Sequence, residues 1–362
     1  MFNVYEFFNR INEIKPGIRL DAGQPDIPVR EEIIEETVAS LRRGETGYIS
    51  SSGMGELRER IAEAEGVSPE EVIVGPGSKI LIAAEIAMAD RIAVIAPYWS
   101  AYVLIARQFG KEVEVIRTRL EEEWRPRLEE LNADLLILNY PNNPTGRVLS
   151  RSELKEILEL AEETGAKVLS DEIYAELSFM DFTPVRELYE NAVTVKGFSK
   201  LYSMTGFRLG YAIADREEIA RIRHFMESTV TCVPPFVQRA GIKALELRDE
   251  LVDDVRKEYM RRAKLASRIL RGLYFREPEG AFYVFLRVPG DGLAFAERLL
   301  DKGVAVFPGV AFGPYRDFIR ISLTGSHLEE GLKTIREEVQ CALGSPATGG
   351  WAGSSSGAWA GR

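Results

Sequence analysis

The residues best placed to do chemistry cluster in the stretch Val193 to Ala214, VTVKGFSKLYSMTGFRLGYAIA. Lys200 follows Ser199 in a tight turn between two apolar runs. Burial disfavours an ammonium, so a lysine there tends toward a lowered pKa and a nucleophilic amine suited to Schiff-base chemistry with a carbonyl group. Arg208 follows, flanked by Gly206 and Gly210, and its guanidinium could fork onto a phosphate. The plainer alternative is a surface turn carrying two ordinary basic residues. Asp171 ends the apolar run Val168-Leu169-Ser170. A buried carboxylate is costly unless paired, and either a core arginine or a protonated ring nitrogen would pair it. Asn142 and Asn143 sit between Pro141 and Pro144, in a loop that either aims a side-chain amide or simply makes an Asx turn.

Three further segments add weaker signals. Val72-Ile73-Val74 runs into Gly75-Pro76-Gly77-Ser78-Lys79, and a strand, glycine turn and helix start can bind phosphate through backbone amides. It is not a P-loop, because Ile80 follows Lys79 where that motif needs serine or threonine. Trp99 follows the strand Ile92 to Ala96 and could stack on a planar ring, or simply fill the core or its rim. Arg320 is the one basic residue in the β pattern Phe318 to Leu323.

Taken together, S-K-x(5)-G-x-R-x-G at Ser199 to Gly210, Pro141-Asn142-Asn143-Pro144-Thr145-Gly146 and Asp171-Glu172-Ile173-Tyr174 resemble the motifs of class I/II aminotransferases of fold type I, in the right order. The resemblance spans roughly Leu20 to Leu323. It implies pyridoxal 5'-phosphate as cofactor, held by Lys200, with Asp171 on the pyridine nitrogen and Tyr174 and Asn143 on the phenolic oxygen. It places Trp99 on the ring, and Ser78, Lys79, Ser199 and Arg208 around the phosphate. It implies that Arg320 forks onto the substrate α-carboxylate, with Asn143 and the backbone of Gly23 nearby. In some aspartate-type members a lysine at the position of Lys79 binds the distal carboxylate of an acidic substrate. Tyr48, in a Y-x(4)-G-x-x-x-L-R segment, would reach the phosphate of a second subunit, which makes the expected assembly a homodimer. Gly197 departs from the pattern, since many members carry a small hydroxyl residue there.

These groups need elements to position them. Helical spacing is expected within residues 2–14, over Val29 to Arg43, over Glu56 to Glu65, and over Leu149 to Thr164. The last has Ser150 and Glu153 as a capping box and Gly165 as its stop. Strands alternate with helices from Val72 to Ala214, which predicts a mainly parallel sheet with ligand-binding groups at its carboxyl edge. From Asp215 to Met260 the pattern is helical, broken at Pro234-Pro235. Strands follow at Ala281 to Val288 and Val304 to Val306, with a helix between them at Leu293 to Lys302 and a turn at Phe307-Pro308-Gly309. The expected α/β architecture is a large domain with a mixed, mainly parallel sheet, and a smaller α+β domain. Residues 1–30 join the small domain, 31–245 form the cofactor-binding domain, 246–343 the small domain, and 344–362 a disordered Gly/Ser/Ala-rich tail.

Composition narrows the function. The 362 residues are 45% hydrophobic and 28% charged, ordinary values for a globular protein with a large core. A net charge of −10 without a basic run argues against nucleic acid. No apolar stretch is long enough to span a bilayer, and the N-terminus lacks signal-peptide character, so a cytoplasmic enzyme is expected. Two cysteines and two histidines give neither a disulfide framework nor a metal spacing, so no metal is expected. The reading is a ping-pong aminotransferase acting on amino acids and 2-oxo acids, aspartate/glutamate-type or broad in specificity. A β-lyase or decarboxylase on the same fold, a non-catalytic regulator binding the same cofactor, and a nucleotide-binding enzyme using Gly75 to Lys79 are the alternatives.

Overall fold

The Asn3 side chain accepts the amides of Tyr5 and Glu6, and this cap starts helix α1, Val4–Ile14. The computed structural model describes residues 2–344; the tail expectation for 345–362 lies outside the described residues. Strand β1 (Ile18–Arg19) and helices α2 (Glu31–Arg42) and α3 (Gly55–Glu65) follow. Next comes the alternating part of the chain: β2 (Val72–Gly75), α4 (Ser78–Met88), β3 (Arg91–Ala96), α5 (Ala101–Gln108), β4 (Glu112–Arg117), β5 (Leu135–Asn139), α6 (Arg151–Thr164), β6 (Lys167–Asp171), β7 (Ala192–Gly197) and β8 (Gly210–Ile213).

These strands form one seven-stranded sheet in the order β2-β8-β7-β6-β5-β3-β4. Strands β7, β6, β5, β3 and β4 are parallel, and β8 is antiparallel to both of its neighbours. A parallel sheet is covered on both faces, which is why β5 reads Leu-Leu-Ile-Leu-Asn without alternation and is buried throughout. Tyr102, Val103 and Ala106 of α5 pack with α4 on one face. Leu154, Ile157 and Leu158 of α6 pack on the other. The winding therefore reverses between β3 and β5, and a crevice opens beyond the carboxyl ends of these strands. The capping box of Ser150 and Glu153 and the left-handed Gly165 bound α6, as the sequence predicts. Replacing Ser150 with alanine would remove a cap worth about 1 kcal/mol.

Helices α7 (Arg216–Thr229), α8 (Pro235–Glu246) and α9 (Arg248–Ile269) lead to β9 (Tyr283–Arg287), α10 (Gly292–Asp301), β10 (Val304–Ala305), β11 (Phe307–Pro308), β12 (Phe318–Ser322) and α11 (Leu328–Leu343). Strands β11, β12 and β9 form an antiparallel sheet in that order. The expected turn at Phe307-Pro308 is thus a short strand. Phe307 pairs with Arg320 at the edge of the sheet, where proline's missing N–H is tolerated. The strand expected from Ala281 begins only at Tyr283, because Ala281 adopts a left-handed backbone with φ 56° and donates its amide to Leu177. The N-terminal segment lies on this second layer: β1 pairs with β10, and Ser322 donates its amide to the Leu20 carbonyl. That pairing carries the segment from Leu20 to Gly23 up to the crevice.

Candidate active site

Lys200 leaves the turn after β7, and its Nζ donates to the Gly23 carbonyl at 2.6 Å. The rings of Tyr174 and Phe282 stand 5.7 and 5.9 Å from the same nitrogen. Burial and the neighbouring Arg320 charge bring its pKa down to about 8, against the opposing pull of Asp171. The amine therefore gives up its proton more readily than an ordinary lysine.

Asp171 ends β6 beneath that amine. Its Oδ2 accepts the Tyr102 hydroxyl and its Oδ1 the Ile173 amide at 3.3 Å. Burial pushes the carboxyl up to about 6, and the two hydrogen bonds pull the other way. Among the described residues no arginine, lysine or histidine forms an ion pair with it, so the core arginine considered from the sequence is absent. The carboxylate is buried, held by neutral donors, and lacks a counter-cation within ion-pair distance. Trp99 meets Tyr102 edge to face at 5.5 Å.

Asn139, at the end of β5, ties two of the motifs together. It donates to the Asp171 carbonyl at 3.0 Å and accepts the Asn143 amide at 3.0 Å. The Asn143 side chain turns its Oδ1 to Arg320 Nη1 at 3.0 Å, which leaves its NH2 group as the donor to offer. Arg320, on β12, also donates to the Asp21 carbonyl and lies over the rings of Tyr283 and Phe312 at 4.6 and 4.8 Å. Its buried Nε has no partner. Tyr174 and Tyr283 share a 2.7 Å hydroxyl contact, and burial holds the Tyr174 hydroxyl well above the usual phenol range.

An anion cradle forms where β2 meets α4. Gly77 caps the helix with φ 80°, and the Arg208 guanidinium packs so closely on it that a Cβ there would collide. A Cβ on Gly210 would lie 2.6 Å from the Ser78 amide nitrogen. Backbone amides at a helix start, an arginine and bare glycines suit a phosphate. The Gly197 departure has a steric reason: a Cβ there would sit 3.1 Å from both the Leu209 carbonyl and Ile173.

Lys200, Asp171, Tyr174, Asn143, Arg320 and Gly23 thus come together around the crevice, with Trp99 beside Asp171's partner Tyr102. Ser78, Lys79 and Arg208 border the β2–α4 turn, and Ser199 adjoins Lys200. Tyr48 is not brought in: its side chain is 89% exposed and makes no hydrogen bond among the described residues. Sequence reasoning missed Tyr102, Asn139, Asp21 and Tyr283. Tyr102, Asn139 and Asp21 stood within the segments read for Trp99, Asn143 and Gly23, while Tyr283 lay inside an expected strand. Among the described residues no cluster of His, Cys, Asp and Glu could hold a metal ion, and no helix is long and apolar enough to cross a membrane.

A lysine amine and a carboxylate at the carboxyl edge of the seven-stranded sheet, met by an arginine from β12 of the second sheet, fit a fold-type I transferase. Known proteins narrow the class. An aspartate aminotransferase of Thermococcus kodakarensis is 72% identical over 357 residues, covering 99% of this chain and 98% of its own. The crystal structure of an aspartate aminotransferase from Thermotoga maritima aligns with a TM-score of 0.86 at 33% identity, over 94% of this chain and 96% of that one. An aspartate aminotransferase from Thermus thermophilus, solved with maleate, aligns with a TM-score of 0.87 at 33% identity, over 94% and 96% of the two chains. The sequence pattern of aminotransferase class I and II matches residues 15–338, and the chain belongs to that family. It is an aminotransferase, a conclusion that displaces the lyase, decarboxylase, regulatory and nucleotide-binding readings.

Proposed function

We propose that the chain uses pyridoxal 5'-phosphate to move amino groups between acidic amino acids and 2-oxo acids. The observation that carries this reading is the buried Asp171 carboxylate, which has neutral donors, forms no ion pair among the described residues and lies close to a lysine of lowered pKa. A protonated pyridine nitrogen would pair with that carboxylate, and the cradle of Gly77, Ser78, Gly210 and Arg208 suits a phosphate. When bound, the cofactor supplies a reactive carbonyl carbon and a ring that accepts electrons from the substrate Cα.

The chain's own residues do the rest. Lys200 would hold the cofactor through its amine and, as a neutral amine, would move the substrate Cα proton as general base and acid. Asp171 keeps the ring nitrogen protonated. Tyr174 and the free NH2 of Asn143 donate to the phenolic oxygen. Trp99 covers the ring. Ser78, Ser199 and Arg208 bind phosphate. Arg320, with Gly23 and Asn143 beside it, receives the α-carboxylate through its unpartnered Nε and a neighbouring Nη. Tyr48 reaches the phosphate of a second copy in a homodimer, consistent with its exposure in a single chain. Lys79 reads a distal carboxylate. The T. kodakarensis relative's name and the maleate-bound T. thermophilus structure support that substrate class. The two-domain division near residue 245 is supported by the break between α8 and α9. A cytoplasmic location is part of the same reading.

The test is the visible-region absorption of the purified holoenzyme. Aspartate or glutamate, added without an acceptor, should bleach the cofactor band. Lys200→Ala should retain bound cofactor and lose turnover. Turnover by that variant at the wild-type rate would overturn the mechanism.

A further inference from the structure

Lys79, the second residue of α4, carries its ammonium between two rings from distant parts of the chain. The nitrogen lies 5.0 Å from the centroid of Trp99 and 5.9 Å from that of Tyr5, and the Tyr5 hydroxyl accepts from it at 3.5 Å. Among the described residues no carboxylate pairs with it. It is a cation held by π faces and a hydroxyl, with no acid in place.

Tyr5 is brought there by α1. The helix is pinned by Phe7, which is buried and meets Phe307 edge to face at 5.6 Å, while Phe8 stacks on the same ring at 6.5 Å. The Phe307 ring also lies 5.5 Å from the Arg320 guanidinium. One short helix therefore touches both cationic ends of the crevice. Its middle packs on the aromatic wall behind Arg320, and its first turn holds Lys79.

We propose that Tyr5 is a specificity-determining residue that fixes the Lys79 ammonium for the distal carboxylate of a dicarboxylic substrate. The inference rests on the reading that Lys79 receives that carboxylate. A free lysine stem loses much of its rotamer freedom when its charge is captured, and a stem already held between two rings loses less. The rings attract the cation without neutralising it, so it stays available to an incoming anion. An aspartate or glutamate side chain in place of either ring would quench it.

The experiment compares single-turnover bleaching of the holoenzyme by L-aspartate and by L-alanine, which lacks the distal carboxylate. Tyr5→Leu keeps apolar bulk on the helix and removes both ring and hydroxyl. It should lower the aspartate-to-alanine ratio of kcat/KM by about fivefold, the scale of one cation–π contact. The loss should fall on the half-saturating aspartate concentration and not on the limiting rate. Tyr5→Phe keeps the ring and should lose about half of that effect in logarithmic terms. Lys79→Ala should lose at least as much, and adding Tyr5→Leu to it should change the ratio no further. If Tyr5→Leu slows both substrates alike, or leaves the ratio untouched while Lys79→Ala collapses it, Tyr5 only props the helix and the inference falls alone. If Lys79→Ala leaves the ratio intact, the acidic-substrate reading fails and takes the inference with it.

Discussion

The Tyr102 hydroxyl donates to Oδ2 of Asp171, so the carboxylate at the end of β6 is fixed by a neutral donor from α5. Tyr102 is itself fully buried and wedged edge to face against Trp99. One side chain thereby ties Trp99 to the Asp171 carboxylate.

Tyr102→Phe tests that link. Burial raises Asp171 to about 6, and the Tyr102 hydrogen bond opposes the rise. Removing the hydroxyl leaves burial less opposed, so the carboxyl titrates at higher pH. The proposed role of Asp171 requires it ionised, so on that proposal the acid limb of the kcat/KM profile should move to higher pH. kcat at neutral pH should fall about tenfold, the scale of one hydrogen bond to a charged group. A pH–rate profile superposable on wild type would show that Tyr102 only fills space.

Arg320→Lys separates charge from geometry. Lysine keeps the cation but cannot present two parallel N–H groups, and it abandons Asn143 Oδ1 and the Asp21 carbonyl as partners. kcat/KM for aspartate should fall about a hundredfold or more, chiefly through KM. An unchanged KM would place the α-carboxylate elsewhere.

The residues that the fold brings together at the candidate site were legible because each stands in a local pattern of fixed spacing. Lys200 lies between apolar runs, Asp171 ends one, and Asn143 lies between two prolines. The sheet was legible because parallel strands buried on both faces read as unbroken apolar runs. What could not be read was contact at long sequence distance. Tyr102 meets Asp171 across 69 positions and Arg320 meets Asn143 across 177, and neither separation leaves a periodic signal. Phe307-Pro308 was read as a turn because proline followed by glycine is turn chemistry. Its pairing with β12 is a tertiary fact. Nothing in the sequence singled out Tyr5, and only the fold places it on Lys79.

Gly210→Ala tests the anion cradle without touching a charged group. The added methyl would lie 2.6 Å from the Ser78 amide nitrogen and 2.8 Å from the Gly77 carbonyl carbon, both backbone atoms that cannot swing aside. The start of α4 must move away from β8, and the cradle opens. Cofactor affinity should drop about tenfold, with about 1–3 kcal/mol lost from stability through overpacking. Equilibrium dialysis against pyridoxal phosphate measures the first and urea unfolding the second. Full affinity in a stable variant would move the phosphate away from this turn.

At the opposite edge of the sheet, Glu85 of α4 is 1% exposed and lies 3.5 Å from Lys167 of β6. Lys167 also pairs with Glu218 of α7, which takes Arg221 at 3.0 Å as a second partner. Glu85 and Glu218 each keep one oxygen without a partner. Burial raises the Glu85 pKa well above the usual carboxylate range; Lys167 pulls it down and Glu218 pushes it up. Two carboxyls thus share one lysine, and Glu85 keeps its proton at neutral pH. The folded state then holds a proton that the unfolded chain has released above the ordinary glutamate value of 4.5. The stabilisation from that proton is complete below 4.5 and is lost as pH rises through the higher folded value. Glutamine copies the protonated acid and does not ionise in the unfolded chain, so Glu85→Gln should match wild type in urea midpoint near pH 4 and exceed it by a growing margin as pH rises to 9. Lys167→Met should cost about 3 kcal/mol at either pH by stripping Glu218 of a partner. If Glu85→Gln is destabilised equally at both pH values, Glu85 is ionised in the folded protein and the shared-lysine description is wrong.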